Sequence, residues 1–485
     1  MRNTTKTLLL AFSAAILGVL AWFALTAPPS PPEGPPDIVF VTFDTTRADR
    51  LGAYGYFRPT SPAFDALAEE SVLFERHIVP MATTLPSHTS MFTGTFPLEH
   101  GIEANAWEGK MFTPAPGLTY FTEYLAGLGY DTGAFISAAP VRSNTGLGRG
   151  FAVFNADKQR GPRDADKTTD EALGWLESRT DDAPMFLWVH YYDPHPPYRA
   201  PKPYNSHFEM NEEMTAYLES NSFLVGSGHR TKRALKYANR YDEEVLFMDT
   251  QFGRLMKRLE RRPQWPNTVV VVAGDHGEGL NQHRQMGHGR VWAEQLHSPL
   301  SMRIPGVEAR RVAEPVSTVD IFPTLLGQID LPDEESWLSQ VSGRDVLVHS
   351  DEERHVFSIS SMRRYKFGED RSWAISSPRW KYVESDRGKP KLFDVKVDPL
   401  ELENVIGKHP EVGAEMATRI SEIKAVQYAR REQVGGGGLR KASDEMIEAL
   451  EALGYVAAAA DKEVVAEEKA AGEAHAPLED TGTFE

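Results

Sequence analysis

Thr268-Val269-Val270-Val271-Val272-Ala273-Gly274-Asp275-His276 is a continuous apolar run that ends abruptly in an acid and an imidazole. Seven residues rich in β-branched side chains, with no polar alternation, predict a strand buried on both faces, which is the habit of a parallel sheet. Asp37-Ile38-Val39-Phe40-Val41-Thr42-Phe43 repeats the pattern and ends at Asp44, and Met185-Phe186-Leu187-Trp188-Val189-His190 repeats it again. Asp131 to Ser137 reads as a further strand. Between these strands, helical spacing marks Ser61 to Val72, Leu118 to Leu128, Lys167 to Ser178 and Arg240 to Leu259, and Asp320 to Gly327 reads as a helix end. Strands alternating with helices predict an α/β fold, a mostly parallel sheet sandwiched by helices. In such sheets ligands bind beyond the carboxyl ends of the strands, where Asp44, His190, Asp275 and His276 all fall.

Thr83-Thr84-Leu85-Pro86-Ser87-His88-Thr89-Ser90-Met91-Phe92-Thr93-Gly94 reads as a loop entering a short helix. With Pro86 at the first helical position, Leu85 is the cap, Thr84 lies just outside, and the Ser87 and His88 N–H groups are free to receive an anion. Gly94 closes the helix. A hydroxyl beside an anion site is a candidate nucleophile for a phosphate or sulfate ester. Asp44, Asp275, His276 and the Thr84 hydroxyl form a mixed oxygen and nitrogen set for one divalent cation. Zinc or manganese suits it best, and calcium or magnesium is also compatible. His190 and His288, the latter in Gly287-His288-Gly289, are candidates to bind ester oxygens or protonate a leaving group. Asp193 with His195 offers a weaker second metal site, and His88, His100, His283 and His297 read as structural.

The rest of the chain bounds these readings. A net charge of −17 over 485 residues argues against a general nucleic-acid binder. The absence of cysteine excludes disulfides, thiolate metal sites and a cysteine nucleophile. Arg2 and Lys6 precede an uncharged apolar run of 20 residues, Leu8 to Ala27, long enough to span a bilayer. This predicts an uncleaved signal anchor over 1–27, with a cleaved signal peptide as the rival, and a bacterial inner-membrane protein whose catalytic domain faces the periplasm. A stiff Pro-rich spacer follows over 28–36. The main domain is placed at 37–350 and a small C-terminal α+β subdomain at 351–456. That subdomain has strands near Trp373, Trp380 and Lys391, helices over Glu411 to Arg430 and Ser443 to Leu453, and a flexible joint at Gly435 to Gly438. A disordered Ala- and Glu-rich tail is expected over 457–485.

From Asp37 to Val456 the chain resembles the sulfatases of the alkaline phosphatase superfamily, in particular the bacterial membrane-anchored kind. The resemblance lies in Asp44-Thr45-Thr46-Arg47 through Gly52, Thr84-Leu85-Pro86-Ser87-His88, His190 with Asp193-Pro194-His195, and Gly274-Asp275-His276-Gly277-Glu278-Gly279. Gly287-His288-Gly289, Val319-Asp320-Ile321-Phe322-Pro323-Thr324-Leu325, Leu392-Phe393-Asp394 with Asp398-Pro399, and Ala452-Leu453-Gly454-Tyr455-Val456 extend it. It implies that Thr84 holds the position where sulfatases carry the Cys or Ser oxidised to formylglycine. Oxidised threonine would be a ketone, so no formylglycine hydrate can form. His88 stands where sulfatases usually have Arg, Thr45 where many have a second metal-binding Asp, and His288 near the usual substrate-binding Lys. His276 matches the phosphonate and phosphodiester branch. Threonine as direct nucleophile is used by nucleotide pyrophosphatases and phosphoethanolamine transferases of this superfamily. The expectation is a metal-dependent hydrolase of sulfuric or phosphoric esters, with phosphodiester or phosphonate favoured over sulfate. The alternatives are transfer of a phospho group to an envelope lipid or glycan, and an inactive fold that binds an anionic partner.

Overall fold

The computed structural model describes residues 34–156, 161–180, 183–209, 211–220, 229–348 and 354–453. The expected anchor, most of the spacer and the tail lie outside these residues. Among the described residues no helix is long and apolar enough to cross a membrane. The chain divides after Gly34, and everything from Pro35 onward forms one unit.

An eight-stranded sheet organises that unit. Its strands in chain order are β1 (Asp37–Phe43), β2 (Val72–Phe74), β3 (Asp131–Ile136), β4 (Val153–Ala156), β5 (Met185–Tyr191), β6 (Thr268–Gly274), β7 (Leu300–Arg303) and β8 (Arg310–Val312). Across the sheet the order is β8-β2-β7-β6-β1-β5-β3-β4. β1 runs parallel to both β5 and β6, and β3 continues the parallel half through β5 and β4, whereas β7 is antiparallel to β6 and β2. The sheet is therefore mostly parallel, as its apolar strands require.

Alternation along the strands distributes side chains to two cores. On one face Phe40, Trp188 and Val271 pack with Leu85 and Phe92 of a helix α1 (Thr84–Thr93), and with Phe121 and Phe322. On the other, Val41, Val189 and Val272 meet Phe64, Leu176, Val245 and Phe252. These last belong to helices Pro62–Glu69, Ala165–Ser178 and His229–Leu259. A fully buried Val or Leu contributes about 1.5–3 kcal/mol, so the three central strands carry much of the fold's stability. They also converge at one edge, because Thr42 is level with His190 and with Ala273.

A small antiparallel sheet of Val356–Ser360, Ser372–Ser376, Trp380–Ser385 and Lys391–Asp394 follows. Its inner face shares a core with Met416 and Ile420 of helix Pro410–Gln433 and with Met81 and Leu98 from the larger part. Gly435 to Gly438 is not a loose joint. Gly437 and Gly101 cross backbone to backbone, and a Cβ on Gly437 would lie 2.8 Å from the Gly101 Cα. Gly438–Lys441 then pairs as a strand with Lys110–Thr113. Composition suggested flexibility where the chain needed close approach.

Candidate active site

α1 begins earlier than its sequence suggested. Thr83 is the cap, with extended φ −157° and ψ 133°, and Thr84 is the first helical residue. Pro86 still fits, since residues of the first turn have no intrahelical acceptor to lose. The Ser87 N–H is not free for an anion; it donates to the Thr83 carbonyl at 3.1 Å, and the Leu85 N–H donates to Asn105 Oδ1 at 2.8 Å. Gly94 closes the helix at φ 67° as expected. The Ser87 hydroxyl donates to the Asp275 carbonyl at 2.6 Å, which ties the first turn of α1 to the end of β6.

Asp44, Asp275 and His276 present donor atoms that all lie within 4.8 Å of one another, and all three residues are fully buried. Asp275 is aimed by two backbone N–H groups on Oδ1, from Thr45 at 3.0 Å and His276 at 2.7 Å. Thr45 adopts φ 46°, a left-handed conformation costly for a β-branched residue, of the kind stored at functional sites. His276 Nδ1 lies 2.9 Å from the Gly277 carbonyl; a carbonyl only accepts, so Nδ1 carries the proton and Nε2 presents a lone pair. That Nε2 lies 3.6 Å from Asp275 Oδ2. Asp275 Oδ2 and His276 Nε2 have no hydrogen-bond partner, and the donors beside the Asp44 carboxylate are the Thr84 hydroxyl and the Thr45 N–H. The Thr84 hydroxyl lies close enough to Asp44 to favour its charged form.

Buried acceptors without donors are costly, and here they cluster. Burial drives the Asp44 carboxyl well above its ordinary range, and the neighbouring Asp275 and Glu278 charges push it further. Burial likewise raises Asp275 and holds His276 well below its ordinary value. Electron pairs with no positive partner fit a divalent cation, and an imidazole held by a carbonyl on its far nitrogen is the usual way to aim such a ligand.

His190 is fully buried behind this set, with Nε2 3.6 Å from Asp44 Oδ2 and Nδ1 3.0 Å from the Thr42 hydroxyl. His288 is mostly buried beside the set. Its ring contacts those of His276 and His195, with centroids 4.5 Å and 5.3 Å apart. Gly289 sits at φ 99°, where a Cβ would come within 2.3 Å of the Met362 Cε. His195 stacks on Tyr192 and sits 2.8 Å by Nδ1 from the Pro196 carbonyl, while Asp193 Oδ1 accepts the Ala165 N–H. Asp193 and His195 thus serve different neighbours, and among the described residues the Asp44 set is the one group that could hold a metal.

Two participants escaped the sequence. Glu278 is fully buried with its carboxyl 3.3 Å from His288 Nδ1, and burial lifts it to about 8. Its place in Asp275-His276-Gly277-Glu278 was its only signal. The second is Thr42, one polar residue inside an apolar strand. His88, read as structural, is fully buried 3.7 Å from Asp275 Oδ2, and burial lowers it to about 4.

Comparison with known proteins places this arrangement. Residues 36–331, more than half of the chain, match the sulfatase family. An ulvan-active sulfatase of Formosa agariphila is 24% identical over 436 residues, covering 80% of this chain and 81% of the relative. A multifunctional alkaline phosphatase superfamily protein of Trinickia caryophylli is 27% identical over 286 residues, 49% of this chain and 54% of the relative. Among solved structures, the putative sulfatase YidJ of Bacteroides fragilis aligns with TM-score 0.72 at 17% identity, over 84% of this chain and 99% of that one. The phosphonate monoester hydrolase of Agrobacterium radiobacter aligns with TM-score 0.63 at 22% identity, over 81% and 96%. The expected family is the observed one: this chain belongs to the sulfatase family.

Proposed function

We propose that the protein is a metal-dependent hydrolase of sulfuric, phosphoric or phosphonic esters, with Thr84 as nucleophile and a preference for phosphodiesters or phosphonates over sulfate esters. The observation that carries this reading is the buried donor cluster of Asp44, Asp275 and His276 with the Thr84 hydroxyl against it. Those residues would hold the cation. When bound, it supplies Lewis acidity that lowers the pKa of the Thr84 hydroxyl and offsets charge on the ester's non-bridging oxygens.

Thr84 then displaces the alcohol from sulfur or phosphorus, and water releases the group from Thr84 in a second step. With its pKa lowered in this way, the Thr84 hydroxyl loses its proton to solvent before the ester is attacked. His288, beside His276 and less buried than the cation-holding set, meets ester oxygens and returns a proton to the departing alcohol. His195 and Glu278 support it from either side. Support for phosphorus chemistry comes from the absence of any residue oxidisable to formylglycine at position 84 and from the likeness to phosphonate monoester hydrolases. The apolar run 8–27 supports an anchored protein with this domain on the outer side of the inner membrane.

The test is cation content by elemental analysis together with turnover of aryl phosphate, phosphodiester, phosphonate and sulfate esters. Wild type binds one divalent cation and turns over the diester or phosphonate fastest, and Thr84→Ala keeps the fold and the cation but loses turnover by at least a thousandfold. Full activity in Thr84→Ala overturns the nucleophile. A cation-loaded wild type inert to the whole panel overturns hydrolysis and favours a transferase or a binding protein.

A further inference from the structure

Thr42 is the sixth residue of β1, level with His190 on the parallel neighbour β5, so both side chains stand on the same face of the sheet. Trp188, two residues before His190, shares that face, and α1 lays His88 over them. The Thr42 hydroxyl therefore meets three nitrogens: Trp188 Nε1 at 3.0 Å, His190 Nδ1 at 3.0 Å and His88 Nε2 at 3.1 Å. All four side chains are fully buried.

A hydroxyl has one proton to donate and two lone pairs. The indole N–H of Trp188 only donates, and it takes one lone pair. His88 Nδ1 lies 2.9 Å from the Thr84 carbonyl, so that nitrogen carries the proton and a neutral His88 presents an accepting Nε2. The Thr42 proton goes there. The remaining Thr42 lone pair accepts from His190 Nδ1–H, which leaves His190 Nε2 as a bare lone pair facing Asp44 Oδ2 at 3.6 Å. His190 Nε2 has no hydrogen-bond partner. These tautomers follow from the partners of each nitrogen.

We infer that Thr42 is a positioning residue: its hydroxyl holds His190 in the Nδ1–H tautomer and so keeps a proton off the face that His190 turns to Asp44. This inference rests on the proposed cation site. Without the hydroxyl, the Thr42 backbone alone still favours a proton on Nδ1, and His190 shifts toward carrying it on Nε2 and donating it to Asp44, where it competes with the cation for the same carboxylate. Indirect supports of this kind typically change metal affinity 10- to 100-fold.

The test uses full-length protein labelled with nitrogen-15 in histidine, with His190 assigned by its loss in His190→Gln, and Mn²⁺ titration by calorimetry. Wild type is expected to show the Nδ1–H tautomer for His190. Thr42→Val, nearly isosteric, is expected to move it to Nε2–H and weaken Mn²⁺ binding by about 10- to 100-fold, and Thr42→Ser to restore both. A purely structural role would lower thermal stability in Thr42→Val without moving the tautomer. Wild-type His190 protonated on Nε2 overturns the inference, as does a folded Thr42→Val that binds Mn²⁺ like wild type. Should Thr42→Val not fold, the wild-type tautomer and the Thr42→Ser affinity still decide. None of these readouts needs ester turnover: a wild type that binds Mn²⁺ but hydrolyses nothing refutes the proposed function and leaves the inference standing.

Discussion

Asp275→Asn should make the cation-free protein more stable while abolishing its response to metal. The substitution is isosteric. The retained carbonyl oxygen keeps the N–H bonds from Thr45 and His276, at 3.0 Å and 2.7 Å, and the new amide replaces Oδ2, which has no partner. That amide can donate toward the His276 Nε2 lone pair, 3.6 Å from the present oxygen. It also removes one of two buried carboxylates whose donor atoms lie within 4.8 Å. Burial and mutual repulsion keep a proton on the pair without a cation, so the gain is that of relieving the strained pair and making one buried hydrogen bond, roughly 1–2 kcal/mol. The assay is thermal unfolding in chelator and in excess Mn²⁺ or Zn²⁺. In chelator the variant should unfold a few degrees above wild type, because 1 kcal/mol moves Tm by about 2 °C in a protein of this size. Added cation should raise the wild type alone, by the mass-action law for a ligand that binds only the folded state. A variant less stable than wild type in chelator, or stabilised by cation to the same degree, refutes the reasoning.

Three further outcomes follow from other parts of the molecule. Asp249 caps helix Pro62–Glu69 by accepting the Ala63 and Phe64 N–H groups at 2.8 Å each, and burial raises it to about 7. A carboxyl raised on folding holds its proton longer in the native state, so stability falls as pH rises from about 4 to about 7, by up to roughly 1.4 kcal/mol per pH unit. Asp249→Asn should flatten that slope in urea unfolding across this range, and an unchanged slope contradicts the assignment. Gly437→Ala places a Cβ 2.8 Å from the Gly101 Cα and from two carbonyl oxygens, all backbone, and should cost about 1–3 kcal/mol by chemical denaturation; a neutral effect denies the close crossing. His288→Ala should leave cation content unchanged while lowering kcat on esters with poor leaving groups by about 100-fold, and much less on activated aryl esters. Equal losses on both would place His288 in binding alone.

The sheet was legible because burial on both faces leaves an unmistakable mark: three apolar runs, each stopping at a polar residue, are the three central strands. Helix Pro410–Gln433 and the cap at Ser443, whose side chain accepts the Met446 N–H, were legible from local chemistry. The short strands Val153–Ala156, Leu300–Arg303 and Val356–Ser360 were not, since four or five residues are too few for an apolar run or an alternation, even the one in Leu300-Ser301-Met302-Arg303, to stand out. At the site, Asp44, Asp275 and His276 announced themselves at strand ends. The start of α1 slipped because Pro86 is equally at home in the first and third positions of a helix. Glu278 and Thr42 were hidden for another reason. Each gains its meaning from a partner that only tertiary structure supplies: the His288 ring turned back onto Glu278, and His190, 148 positions from Thr42 in the chain.

The central claim is that Thr84 carries the transferred group between two displacements. Rapid-quench turnover of the preferred ester, followed by intact-protein and peptide mass spectrometry, tests it most directly. A transient mass increment equal to the phosphoryl, phosphonyl or sulfuryl group, located at Thr84 and absent from Thr84→Ala, is the predicted result. Burst-phase turnover with the increment on another residue, or with none on the protein at any time, would contradict it.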